Sequence, residues 1–418
     1  MSATGLAVLV CALFRGDAVK PVSAEDAAFV SKSAQDPPDQ LAQTYDARPL
    51  AEWLEVMKSL DFQSPAAAEA VPGLLQLVQD QQLPWYTRRQ AALTLGRIGR
   101  PAQDAVPVLE RLLASPPDST APSAAAWAAK ALSLFGPFAA PATPALARVL
   151  GDQERPHLDR LSCVEALGRI GGAHEEAIPA LIRLADAETD RSNDAAELRE
   201  AAVDGLALVG SAAAPAVPTL IRLSREDGAV RLQKSSVVAL GRIGPAAGIA
   251  AQSLAELVLF DESPEVRAAA AVALATIGEP GEAALCKLLT DEDRAVRRLA
   301  AEALARVAQR TGPVVAALTS SLQDADAAAR IAAAESLWKL TREGEPVFPT
   351  ILDTLTNEDR LLRIRAYRLL RNISQAPEAV LQELRRLAED DRRYVRQIAE
   401  KALRDLDDLN GSRPPETP

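Results

Sequence analysis

Residues Val237 to Ala247 read VVALGRIGPAA: an apolar run, a Gly-x-x-Gly break, then Pro245 and a second run. The five letters LGRIG recur at Leu95 to Gly99 and at Leu167 to Gly171, with looser copies between. Aligned on the leucine near the end of each first run, the copies fall at Leu95, Leu134, Leu167, Leu206, Leu240, Leu274, Leu304, Leu337, Leu370 and Leu403, at spacings of 30 to 39 residues. A degenerate copy around Trp53 and Leu60 starts the series. That period, without strand-like alternation, predicts stacked helical hairpins, none able to bury its apolar face alone.

The punctuation supports two helices per copy. Gly99, Gly136, Gly171, Gly210, Gly244 and Gly278 follow the first helix, where a left-handed terminal residue costs glycine least. Pro72, Pro107, Pro144, Pro179, Pro218 and Pro349 lie early in the second, where a missing N–H loses little. The predicted fold is therefore all-α: a superhelix, or α-solenoid, of about ten or eleven hairpins over residues 49–408. Aromatic residues make up only 4% of the chain against 48% hydrophobic, so its core is built from Ala, Leu, Val and Ile.

Seven residues before the marker leucine stands Arg88, Arg160, Arg199, Arg267, Arg297, Arg330, Arg363 or Arg396, with Trp127 and Gln233 in two copies. Seven residues is almost two helical turns, so each arginine shares a face with its leucine and needs a partner. Six residues earlier comes an oxygen-bearing side chain: Gln82, Glu154, Asn193, Asp261, Asp291, Asp324, Asn357 or Asp390. The pair is read as a structural bridge from loop to helix. A second basic cluster, Arg360, Arg363, Arg365, Arg368 and Arg371, is read as offsetting the acidic loops at Asp359 and at Asp390 and Asp391.

These features together resemble the HEAT-repeat proteins, of the bacterial kind related to the HEAT-like repeats of phycobilisome lyases. The residues that carry the resemblance are the Asp-x5-Arg ladder, the A-x-A-L endings, the LGRIG, LVG and TIG turns and the V-P-x-L starts. The resemblance implies a scaffold or a protein-binding surface. Two enzymatic relatives follow from it as alternatives, a bilin-lyase-like and a deoxyhypusine-hydroxylase-like activity. The hydroxylases hold a di-iron centre with several His-Glu pairs, whereas this chain has only His157 and His174, and one His-Glu pair, His174-Glu175. Nucleic-acid binding, as in HEAT-like DNA glycosylases, is a third reading.

The chemical inventory favours the scaffold. CxxC, HExxH, GxSxG and P-loop patterns are lacking, so no catalytic residue, metal ligand or cofactor is predicted. Cys163 and Cys286 lie in apolar helical patterns and read as buried thiols. A net charge of −11 opposes broad binding to phosphate backbones. On the second helices, four residues after the recurrent proline, come Arg111, Arg148, Arg183 and Arg222, turned away from the apolar face. In a solenoid of this kind second helices line the concave side, which predicts a row with steps of about 10 Å. Such a row suits an acidic peptide or another protein as partner. The competing reading is solvated arginine paired with nearby carboxylates.

The ends of the chain differ from the array. Gly5–Phe14 is an apolar run too short to span a bilayer and within the range of a signal-peptide core, and Val22-Ser23-Ala24 supplies small residues ahead of Glu25. No Lys or Arg precedes the run, Arg15 and Lys20 follow it, and Val10 replaces the small residue that a lipoprotein box at Cys11 requires. Residues 1–24 are read as a signal peptide, which implies an exported, periplasmic chain; otherwise the chain is cytoplasmic. Residues 25–48 are read as a polar linker and 409–418 as a disordered tail. No transmembrane segment is expected in the mature chain.

Overall fold

The computed structural model describes residues 41–116, 123–187, 192–226, 228–307, 310–373 and 376–411. The signal-peptide reading, Cys11 and most of the expected linker and tail lie outside these residues. Contacts divide the chain into two units, the first running to Ala166 and the second starting at Leu167. Both are built from paired helices of an α-solenoid.

The first unit begins with a two-stranded antiparallel ribbon, Thr44–Tyr45 against Arg48–Pro49. Its two-residue loop, Asp46-Ala47, has positive φ at both positions, as a primed hairpin turn requires. The ribbon is tied to the array: Trp53 Nε1 donates to the Tyr45 carbonyl at 2.8 Å, and the Tyr45 hydroxyl donates to Asp80 Oδ2 at 2.6 Å. The expected linker thus ends in folded structure, because Tyr45 and Trp53 bury their rings together at the start of the array. At the other end, helix Arg393–Gly411 runs three residues into the stretch expected as tail.

The hairpins that turn at Gly99, Gly136, Gly171, Gly210 and Gly244 follow the pattern of Val237 to Ala247. Helix Val230–Ile243 stops at Gly244, a 3-10 turn Gly244–Ala250 carries the chain round, and helix Ala251–Phe260 returns. Gly244 has φ 73° and ψ −140°. This corrects the expected left-handed helical cap: φ is positive, but ψ is extended, a combination nearly confined to glycine. It redirects the chain into the 3-10 turn instead of closing the helix on itself.

Eight of the ten marker leucines are buried; Leu134 and Leu403 are only half-buried. In the Leu134 repeat the capping glycine is Gly136, and counting back four residues, as from Gly99 or Gly171, gives Leu132, which is buried. The marker there is Leu132, so Trp127 does not stand in the arginine register, where buried Ala125 takes its place. Leu403 lies on the last helix, where no later repeat covers it among the described residues. The first glycine of LGRIG has its own role. A Cβ on Gly96 would lie 2.6 Å from the Ala131 carbonyl oxygen, and one on Gly241 would lie 3.2 Å from Ala273 Cα. These glycines let neighbouring first helices approach closely.

Two stretches, Asn193–Leu223 and Val230–Phe260, are long and apolar enough by composition to cross a membrane. Each is a bent hairpin, interrupted at Gly210 and Gly244 respectively, both with positive φ.

Candidate protein-binding surface

The arginine ladder is structural, and its acceptor differs from the one expected. Arg267 Nη1 donates to the Asp261 carbonyl at 2.7 Å; Arg297, Arg330, Arg363 and Arg396 reach the carbonyls of Asp291, Asp324, Asn357 and Asp390 at 2.6–2.9 Å. The side chains at those acidic positions do something else. Oδ1 of Asp261, Asp291, Asp324 and Asp390 accepts the amide of the residue two further on, at 2.8–2.9 Å. This Asx turn aims two successive loop carbonyls at the guanidinium. Where the loop is built differently, Arg88, Arg160 and Arg199 use Nε to reach the carbonyls of Val78, Leu150 and Ala185, at the ends of the preceding second helices.

The ladder also links repeats. Arg297 Nε and Nη2 hold the Asp324 carboxylate of the next repeat at 2.7 and 2.9 Å, and Arg199 holds Glu226 at 2.9 and 2.8 Å. Hydrogen bonds from these guanidinia keep the Asp324 and Glu226 carboxyls below their ordinary range. Trp127 lies beneath Arg88, 5.8 Å from its guanidinium carbon. Arg199 and Arg297 engage all three guanidinium nitrogens within the array, which leaves them little to offer a ligand.

The four second-helix arginines are all exposed, Arg111 and Arg148 in the first unit, Arg183 and Arg222 in the second. They are not equivalent. Arg222 is paired with Asp186 and lies 3.9 Å from Glu226, so the solvated reading describes it. No carboxylate pairs with Arg111 or Arg148 among the described residues. These two border one groove of about 520 Å³ between helices Val106–Leu113 and Thr143–Gly151. Pro107, Leu113, Ala114, Ala145 and Val149 supply apolar wall, and Glu110, Asp152 and Arg155 complete the lining. Arg155 is fixed there, with Nη1 donating to the Ser115 carbonyl at 2.6 Å and Nε 3.6 Å from Asp152. Arg111 and Arg148 are therefore exposed cations beside a third whose position is locked.

The second unit offers an apolar surface that the sequence reading missed. Ile249 and Phe260, 73% and 77% exposed, flank helix Ala251–Phe260, and each borders a shallow groove shared with Leu259 and Glu256. Their exposure had no periodic signal, because both lie at helix ends.

The residues with chemistry are dispersed. Among the described residues no group of three His, Cys, Asp or Glu could hold a metal ion. His174 Nδ1 accepts the Glu176 amide at 3.2 Å, so the one His-Glu pair takes part in a turn. Cys163 is fully buried, its thiol pushed up by that burial and then by Asp159; Cys286 is only half-buried, which corrects the expectation that both thiols are inside.

Repeated hairpins, an internal arginine ladder and exposed second-helix faces define an α-solenoid scaffold. The profile of the HEAT repeats matches residues 39–130, 251–338 and 315–404, and that of the PBS lyase HEAT-like repeat matches 159–187. The chain belongs to the HEAT-repeat family. No curated protein sequence matches it. Among solved structures it is similar to Kap121p, with 12% identity over 96% of this chain and 48% of that one, at a TM-score of 0.51. It thus spans about half the length of Kap121p, and the likeness is one of fold. Similarity extends to the CpcE–CpcF complex of phycocyanin lyase from Nostoc, with 21% identity, 64% and 94% coverage and a TM-score of 0.33. Human deoxyhypusine hydroxylase gives 21% identity, 82% and 98% coverage and a TM-score of 0.28.

Proposed function

We propose that this chain is a non-catalytic scaffold that holds an acidic segment of a partner protein in the groove between helices Val106–Leu113 and Thr143–Gly151. The observation that carries this reading is the state of Arg111 and Arg148: exposed, without a carboxylate partner, and beside an apolar-walled groove. Carboxylates of a bound segment would complete charge-assisted hydrogen bonds that the chain itself leaves unmade. Pro107 and Ala114, both exposed in the groove, would cover the aliphatic part of such a segment. Arg222, already paired, contributes little, and Arg183 belongs to the other unit.

The enzyme alternatives find less support. His174 is engaged in a turn, and the buried Cys163 thiol is held in its protonated, unreactive form. Nucleic-acid binding is opposed by the net charge of −11. Export remains part of the proposal through residues 1–24, and N-terminal sequencing of the mature chain tests it.

The test is binding of a fluorescein-labelled oligoglutamate peptide to the full chain, read by anisotropy. Reversal of both cations, R111E with R148E, should weaken binding at this groove by about a hundredfold, about 2.7 kcal/mol. Unchanged affinity in the folded variant would remove the groove from the function.

A further inference from the structure

The basic cluster near the C-terminus has a different fate from the one expected of it. Two residues before each marker leucine, consecutive first helices carry Glu302, Glu335, Arg368 and Lys401; one residue after it, they carry Ala305, Trp338, Arg371 and Arg404. The surface therefore changes sign between the helices Ala327–Thr341 and Arg360–Ile373.

The acidic half is neutralised by Arg365 of the helix Arg360–Ile373. Arg365 donates through Nη1 to Glu302 at 3.0 Å and through Nε and Nη2 to both oxygens of Glu335 at 3.0 and 2.6 Å. The acidic loops are also engaged elsewhere: Asp359 Oδ1 accepts the Leu361 amide at 2.7 Å, and the Asp390 carboxylate is held by Arg392 at 2.9 and 3.0 Å. Arg363 is taken by the carbonyls of Asn357 and Glu358. None of these carboxylates offsets Arg368 or Arg371, which corrects the sequence-based reading of the cluster.

Arg368, Arg371, Lys401 and Arg404 are exposed, and no carboxylate forms an ion pair with any of them among the described residues. They form two i,i+3 pairs, about 5–6 Å apart along each helix, on neighbouring helices whose axes run about 8–10 Å apart. Tyr367 steadies the patch between the helices. Its hydroxyl donates to Asp405, and Lys401 Nζ lies 5.0 Å above its ring. Among the described residues, Asp405 and the exposed Glu400 are the carboxylates that share the helix of Lys401 and Arg404 beside the patch.

We propose that these four cations are a second docking surface, for a carboxylate-rich segment of a partner protein. It is independent of the Arg111–Arg148 groove and lies on first helices instead of second helices. The small extent of the patch fits a short acidic segment better than a nucleic-acid backbone. Four cations match a few carboxylates, whereas a duplex would continue past the patch onto Glu400, Asp405 and a chain of net charge −11. Two such surfaces on one chain make it an adaptor able to hold two acidic segments at once.

The full chain titrated calorimetrically with an oligoglutamate peptide should take up two peptides. Reversal by R368E with R371E should lower the count to one while leaving the groove occupied, and K401Q with R404Q should weaken the same binding event. R111E with R148E should remove the other. Loss on R368E with R371E but not on R111E with R148E upholds this surface and refutes the groove. An unchanged count in the folded R368E/R371E variant overturns this surface, as does tighter binding of a labelled DNA duplex than of the peptide at the same salt.

Discussion

A Cβ placed on Gly168 would lie 2.9 Å from the Cα of Gly205, so two stretches of helical backbone in the second unit meet at a pair of glycines. Gly168 is the first glycine of an LGRIG copy, and this contact explains why a residue without a side chain recurs inside a helix, where it costs about 1 kcal/mol relative to alanine. The close approach offsets that cost through backbone and Leu181 contacts, the latter 3.3 Å from a Cβ on Gly205.

Replacing Gly168 by alanine should therefore destabilise, despite alanine's better helix propensity, by about 1–3 kcal/mol through overpacking. Gly151 is the control: a Cβ there meets nothing within 4 Å, so Gly151→Ala should be neutral or stabilising by about 0.4–1 kcal/mol. Thermal unfolding of both variants checks the contrast, and equal midpoints would discard the close-approach account.

At the N-terminal end a Cβ on Gly73 would lie 2.0 Å from Trp53 Cζ2. The flexible end of a side chain can yield, but Trp53 is 1% exposed and hydrogen-bonded to Tyr45. Gly73→Ala should displace the indole, redden its fluorescence and loosen the ribbon. Proteolysis at residues 41–49 should accelerate, and an unshifted emission spectrum would contradict this.

How much of this was legible beforehand depends on which interactions are local. The hairpin register could be read because a buried leucine and a capping glycine recur four residues apart. It slipped at Leu134, where the run ALSLFG offers two leucines and only burial distinguishes Leu132. The ladder was legible as a structural device, but its acceptor was not. Aspartate stands at the right offset to attract arginine, and its carboxylate instead folds the loop so that its own carbonyl does the accepting. The four second-helix arginines were read as exposed, and are. Which of them is paired was hidden, since Arg222 meets Asp186 from a neighbouring repeat, 36 residues away.

The bridge from Arg297 to Asp324 joins consecutive repeats with both partners mostly buried. Hydrogen bonds to charged groups contribute about 1.5–3 kcal/mol, so Arg297→Ala should cost that order and also strand the Asp324 carboxylate. A double-mutant cycle with Asp324→Asn should give positive coupling. Additive losses would mean that the carbonyl contacts alone hold the loop.

These carboxylates also set the acid limit of the fold. Hydrogen bonds from Arg297 and Arg199 hold Asp324 and Glu226 below the ordinary range, and Arg392 pushes Asp390 down to about 2. The unfolded chain binds protons at these sites more readily than the folded one. The stabilisation is therefore fully present above the ordinary carboxylate range, about pH 4, and is lost as pH falls through the depressed values. Denaturant midpoints should hold from neutral pH to just above that range and drop below it; a midpoint that rose on acidification would reverse the sign.

Among the second-helix arginines the environment predicts unequal effects in one binding assay. Arg148 has no carboxylate partner and borders the groove, so R148E should weaken capture of the oligoglutamate peptide by about tenfold, about 1.4 kcal/mol. Arg222 is half-exposed and already engaged with Asp186; a surface pair of this kind contributes little to stability, about 0–1 kcal/mol, and its guanidinium has less to offer a ligand. R222E should therefore leave peptide affinity nearly unchanged. Raising ionic strength should erase the difference between R148E and the parent chain, because the exposed charge that separates them is screened. If R222E weakened binding as much as R148E, recognition would depend on the summed charge of the second helices and not on the groove.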